Sequence, residues 1–229
     1  MFTELKRWVK DPIYWLVLVY VLFSITFGFI YRNGLILFLG WNIILAGVAY
    51  ALANLFIYTR KKRSSIWISV ILFILFILFF PNTMYVLTDF IHLQNYTFFQ
   101  DYPSVYAYVT DDWVVFTMIA IGALIAAKCG VQSLKNIKGY LFVIIKKYYF
   151  IFLGTLFVAS SVGIYIGRFI RLNSWDIFKL HTYLPIIFDR FSFFISFVIM
   201  YTVIHGITYF VMTNQYQTSY NRSDNTLED

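Results

Sequence analysis

The stretch that decides the fold is Ile13–Ile30, IYWLVLVYVLFSITFGFI, 18 residues without one charge. A helix needs about 20 predominantly apolar residues to cross the hydrocarbon of a bilayer. Five further runs of the same kind follow: Gly34–Tyr58, Ser64–Phe80, Trp113–Ala127, Tyr148–Gly167 and Phe191–Met212. Buried helices of a soluble protein do not recur six times at this length. The pattern predicts an all-α, multi-pass transmembrane helical bundle of about six spans. We read residues 1–212 as a single transmembrane domain and the polar residues 213–229 as a disordered cytoplasmic tail.

Composition agrees. The chain is 61% hydrophobic, 22% aromatic and only 13% charged, with a mean hydropathy of +0.73. A soluble domain of this size carries about twice that charge. The net charge of +7 would suggest nucleic acid in a soluble protein, but its distribution says otherwise. With the N-terminus inside, thirteen of the 18 Lys and Arg fall in the inner segments 1–12, 59–63, 128–147 and 213–229. Only Arg32, Arg168, Arg171, Lys179 and Arg190 fall outside. By the positive-inside rule both termini are expected in the cytoplasm. The basicity is thus a topology signal, with no nucleic-acid partner. The basic start Lys6, Arg7, Lys10 precedes an apolar run that is long, aromatic and without a small-residue cleavage site, so the first helix is expected to stay as an anchor. One cysteine, Cys129, excludes an intrachain disulfide.

Polar residues concentrate on the outer side. Pro81 is expected to end or kink the third helix, with Asn82-Thr83 as a helix start. In the stretch that follows, Tyr85, Thr88, Asp89 and His92 stand at i, i+3, i+4 and i+7, within one wedge of an α-helix of about 100°. This predicts a short amphipathic interfacial helix with Asp89 and His92 side by side. Two readings stay open: a strip that faces water, and a site where Asp89 and His92 do acid–base chemistry. From Asn82 to Asp112 there is no Lys or Arg, but there are eight aromatic residues between Tyr85 and Tyr108. Such a loop is expected on the bilayer surface. The fourth run is short, about 22 Å at helical rise, and so is the third if Pro81 stops it. Two short neighbours would leave an outward vestibule.

The fifth run ends Gly167-Arg168-Phe169-Ile170-Arg171, with Arg168 and Arg171 one turn apart on a helix. Positive charge on the outer side needs a partner. Asp89, Asp112 or Asp176 could supply it, and so could an anionic lipid or phosphate-bearing ligand recognised by the planar guanidinium. In Asn173-Ser174-Trp175-Asp176, Asn173 or Ser174 suits a helix N-cap, Asp176 the first turn and Trp175 an interfacial anchor. Within the spans, Asn42 lies about 12 Å below the outer end of its helix and is expected to hydrogen-bond across a helix contact, as is Asn54. His205, about 21 Å along its helix, reads as a packing residue.

Two segments carry a family resemblance. Residues 80–93, Phe80-Pro81-Asn82-Thr83-Met84-Tyr85-Val86-Leu87-Thr88-Asp89-Phe90-Ile91-His92-Leu93, resemble the PNxxYxxTDxxHL signature of a bacterial integral-membrane family of unknown function, DUF series 1361. Residues 167–176, from Gly167 to Asp176, resemble its GRFxRxNSWD segment, Trp41-Asn42 its WN pair and Asp112 the acid that precedes its fourth span. The resemblance implies a multi-pass bacterial membrane protein and no particular activity.

Three functions are then open. One is a non-enzymatic membrane protein whose motifs are structural clasps. The second is an outer-leaflet enzyme or lipid- or anion-handling protein using Asp89, His92, Arg168 and Arg171. A metal version of it would need a third ligand, Asp112 or His181, because an Asp-x-x-His pair is a weak zinc signal; no cofactor or metal is expected. The third, a transporter, ranks last: the span interiors hold no Asp, Glu, Lys or Arg, the groups on which ion relays depend, and no internal repeat supports it.

Overall fold

A computed structural model describes residues 10–100, 105–172 and 180–214. In chain order these form α1 (Pro12–Ile30), α2 (Gly34–Lys61), α3 (Ile66–Phe79), the single turn α4 (Asn82–Tyr85) and a 3-10 segment over Val86–Asn95. After a two-stranded ribbon, β1 (Phe99–Gln100) and β2 (Val105–Tyr106), come α5 (Thr110–Ile145), α6 (Tyr149–Tyr165) with a π turn over Ile166–Ile170, α7 (Leu180–Asp189) and α8 (Phe191–Asn214). Among the described residues, six segments are long and apolar enough to cross a membrane: Pro12–Ile30, Gly34–Lys61, Ile66–Asn95, Thr110–Tyr140, Lys146–Ile170 and Phe191–Thr213. The protein is therefore a multi-pass, all-α membrane protein. Large apolar side chains such as Leu22, Phe23, Phe29 and Ile30 of α1 are half or more exposed. That is untenable in water and expected where hydrocarbon is the solvent.

Two spans differ from the sequence expectation. Helix α5 is 36 residues long and carries Lys128, Lys135 and Lys138 within it. The charge that ends an apolar run therefore does not end the helix, because backbone hydrogen bonds do not depend on hydropathy. Likewise Pro81 ends α3 at Phe79 but keeps helical dihedrals (φ −53°, ψ −32°), and helical backbone resumes at Asn82. Neither span is short, so the vestibule expected from two short neighbours loses its basis. Asn82 and Thr83 do not cap the helix that follows. Their side chains donate backward, Asn82 Nδ2 to the Phe79 carbonyl at 2.9 Å and Thr83 Oγ1 to the Phe80 carbonyl at 2.8 Å. The carbonyls at the end of α3 are thereby satisfied where the α-helical ladder stops.

The chain divides into two compact units. One comprises Met1–Leu52 with Leu72–Gly130, the other Ala53–Ile71 with Val131–Asp229. In the first, α2 buries Ile36, Leu39, Ile43, Ala46 and Tyr50, a stripe at alternating three- and four-residue spacing. Val115, Met118, Ile119, Ala123 and Ala126 of α5 and Tyr20 of α1 join the same core. The Tyr20 hydroxyl donates to the Met118 carbonyl at 2.8 Å. A Cβ on Gly122 would stand 2.7 Å from that hydroxyl, so Gly122 sets how closely α1 and α5 approach. Asp11 caps α1, its Oδ1 accepting from the Ile13 amide at 3.0 Å, and also accepts from the Tyr50 hydroxyl.

In the second unit α6 and α8 run antiparallel and are joined by polar rungs. Tyr149 and Tyr209 hydroxyls lie 3.2 Å apart, Ser161 Oγ and Thr202 Oγ1 3.2 Å, and Ser160 Oγ and His205 Nε2 2.9 Å. His205 Nδ1 is 2.7 Å from the Tyr201 carbonyl. A carbonyl only accepts, so Nδ1 holds the proton and Nε2 accepts from Ser160. His205 is thus the packing residue expected from sequence. Asn54 behaves as expected too, accepting from Asn136 Nδ2 at 2.8 Å.

Helices α1 and α2 end in the same way. Arg32 and Arg63 have positive φ, 47° and 52°. Around each, the two amides at the helix end fold back on free carbonyls: Arg32 to Phe29 and Asn33 to Gly28, Arg63 to Arg60 and Ser64 to Thr59. This is the Schellman arrangement, with arginine at the position glycine usually holds.

Candidate functional site

Thr88, Asp89 and His92 sit on a 3-10 backbone, and Tyr85 closes the single α-helical turn before it. At three residues per turn, residues i and i+3 eclipse. The single α-helical wedge expected from sequence therefore splits into two ridges, Tyr85 with Thr88 and Asp89 with His92. Thr88 Oγ1 donates to the Tyr85 carbonyl at 2.6 Å, which turns that ridge back on its own backbone.

Asp89 is fully buried. Its Oδ2 accepts from Asn42 Nδ2 of α2 at 2.8 Å. Its Oδ1 lies 3.9 Å from His92 Nε2. That is beyond hydrogen-bond range, but close enough for a carboxylate to act as charge partner of an imidazolium. The His92 side chain keeps 33% of its surface exposed, against 0% for Asp89. The two residues are adjacent, as the sequence suggested, but unequal: only His92 can touch a ligand. The strip does not simply face water, since its acid turns inward to the Asn42 donor inside the first unit. The residue missing from the sequence account of this site was Asn42. The signal that could have joined them is a polar amide inside a charge-free span, Asn42, and an acid a few residues past the end of the next span, Asp89.

Asp112, in the first turn of α5, accepts from the Thr97 amide through Oδ2 at 2.7 Å. It thereby ties down the aromatic loop, together with the Trp113 indole, which donates to the Ala107 carbonyl at 3.3 Å. Phe98, Trp113 and Phe116 stack edge to face beside this tie, with centroids 5.4–6.2 Å apart.

Arg168 and Arg171 belong to the second unit. Arg168 is half-buried in the π turn. Arg171 is exposed, past the helix end, with left-handed backbone (φ 62°, ψ 34°). The expectation of one shared helix face does not hold here, since a π turn advances less per residue than an α turn and Arg171 has left the helix. Asn173, Trp175 and Asp176 lie outside the described residues, as does the His181 side chain. Among the described residues, no three His, Cys, Asp or Glu side chains gather as metal ligands would.

Residues 41–214 match the family described as protein of unknown function (DUF1361). The chain belongs to this family. The match takes in Asn42, the whole 80–93 segment, Asp112 and both arginines. No curated protein and no solved structure matches the chain.

Proposed function

We propose that this family member is a multi-pass protein of the bacterial plasma membrane with cytoplasmic termini, bearing a small polar site on its extracytoplasmic face. In this site His92 meets the ligand, and Asp89 is its positioning residue. Asn42 is a clasp on the Asp89 carboxyl, and Asp112 a clasp on the backbone of the aromatic loop at Thr97. The observation that carries this reading is the contrast in exposure across a 3.9 Å gap, an open imidazole above a sealed carboxyl. The imidazole, which can donate or accept through either ring nitrogen, stands beside an acid held in place by Asn42. That arrangement suits acid–base work, or the binding of an acidic group that gives its proton to the imidazole.

A second reading, that the protein handles anionic lipid or a phosphate-bearing ligand, draws on the two arginines. Arg171 is exposed three residues after the half-buried Arg168, where the charge distribution leaves few other basic residues. Arginine forks suit phosphate oxygens.

The test compares His92→Ala with Asp89→Ala in purified, detergent-solubilised protein. His92→Ala should melt within about 2 °C of the parent, since a side chain one-third open contributes less than a sealed one, whereas Asp89→Ala should melt clearly lower. Equal destabilisation by both would make His92 a clasp as well and remove the site.

A further inference from the structure

The first unit holds an open groove of about 500 Å³ between α1 and α5. It runs from Leu16 to Phe27 along α1 and from Ile125 back to Thr110 along α5. As first and fourth spans the two helices are antiparallel, so Phe27 and Thr110 share one end. At helical rise its wall is about 16 Å long on α1 and about 22 Å on α5, between half and three quarters of the ~30 Å hydrocarbon thickness. The groove thus stops short of crossing the membrane. Its wall is almost wholly apolar: the Tyr20 hydroxyl is spent on the Met118 carbonyl, leaving Thr110 and Thr117 as its other hydroxyls. Near Phe27 and Thr110 the helix ends carry both signs of charge. Arg32 is exposed just past α1, and Asp111 and Asp112 stand in the first turn of α5, Asp111 exposed.

We propose that this groove binds one acyl chain of a phospholipid with a zwitterionic, amine-bearing headgroup. An apolar groove that starts at one membrane surface and stops short of the other fits an acyl chain. Mixed charge at the mouth fits a headgroup in which a phosphate faces Arg32 and an ammonium faces Asp111. A purely anionic headgroup would match the arginine alone and be repelled by two carboxylates. The lipid takes no part in the His92 reading.

The experiment is native mass spectrometry of the full chain, released from detergent micelles supplied with equal amounts of phosphatidylethanolamine and phosphatidylglycerol of the same acyl chains. One retained phosphatidylethanolamine, in at least threefold excess over phosphatidylglycerol, is expected. Ile121→Trp, which fills the groove, should abolish its retention. Ile199→Trp on α8, equally lipid-facing, should not. Asp111→Asn, which leaves the groove open, should erase the preference between the two lipids. Retention unchanged in Ile121→Trp, equal retention of both lipids by the parent, or a dimer in place of a lipid adduct would each overturn the proposal. Should Ile121→Trp fail to fold, the Asp111→Asn ratio decides alone.

Discussion

Asn42 and Asp89, 47 positions apart in sequence, are joined by a 2.8 Å hydrogen bond from an amide to a fully buried carboxyl. Removing the donor leaves Asp89 sealed with one fewer partner, and hydrogen bonds to an acid of this kind contribute about 1.5–3 kcal/mol. We expect Asn42→Leu to cost about 1–3 kcal/mol in thermal or denaturant unfolding in detergent. Asp89→Asn keeps an acceptor oxygen for the same amide and should cost less. A double-mutant cycle with no coupling between the two positions would refute the clasp.

The approach of α1 to α5 is set by Gly122 against Tyr20. Gly122→Ala puts a methyl 2.7 Å from the Tyr20 hydroxyl, which cannot yield without leaving the Met118 carbonyl. Overpacking of this kind costs about 1–3 kcal/mol. Tyr20→Phe should relieve part of it, so the double variant should melt higher than Gly122→Ala alone.

Ser160 and His205 should act as a packing pair. His205→Leu removes the acceptor of the Ser160 hydroxyl, and hydrogen bonds between membrane helices average about 0.6 kcal/mol. A loss of about 0.5–1.5 kcal/mol is expected, largely regained in Ser160→Ala/His205→Leu. A much larger loss would mean that His205 does more than hold α6 to α8.

The fold was legible because hydrocarbon as solvent leaves long charge-free runs, and six of them stand in this sequence. Helix ends were less legible. The Lys128 side chain marks where an apolar run stops, yet α5 continues because its ladder has no reason to break there. Pro81 was recognised as a disruption, but the answering donors, Asn82 and Thr83 reaching backward, depend on the local path of the chain. At the site, pairing of Asp89 with His92 was readable from spacing; their unequal exposure was not, since it depends on Asn42 arriving from α2. The 3-10 winding was not readable at all, because a short segment fixed by tertiary hydrogen bonds can override the α periodicity on which spacing arguments rest.

Arg63 gives a prediction of opposite sign. A non-glycine residue in the left-handed region costs about 1 kcal/mol or slightly more, and glycine meets the same geometry without that cost. Arg63→Gly should therefore raise the melting temperature slightly. Because residues 59–63 hold four of the basic residues that orient the chain, the same substitution should leave topology intact only while the other three remain.

The most direct test of the account is the accessibility of the site itself. In a Cys129→Ala background, which removes the protein's one thiol, His92→Cys and Asp89→Cys are labelled on intact cells with a membrane-impermeant maleimide. The account predicts ready labelling at position 92 and none at position 89. Protection of position 92 on intact cells, with labelling only in inverted membrane vesicles, would contradict it.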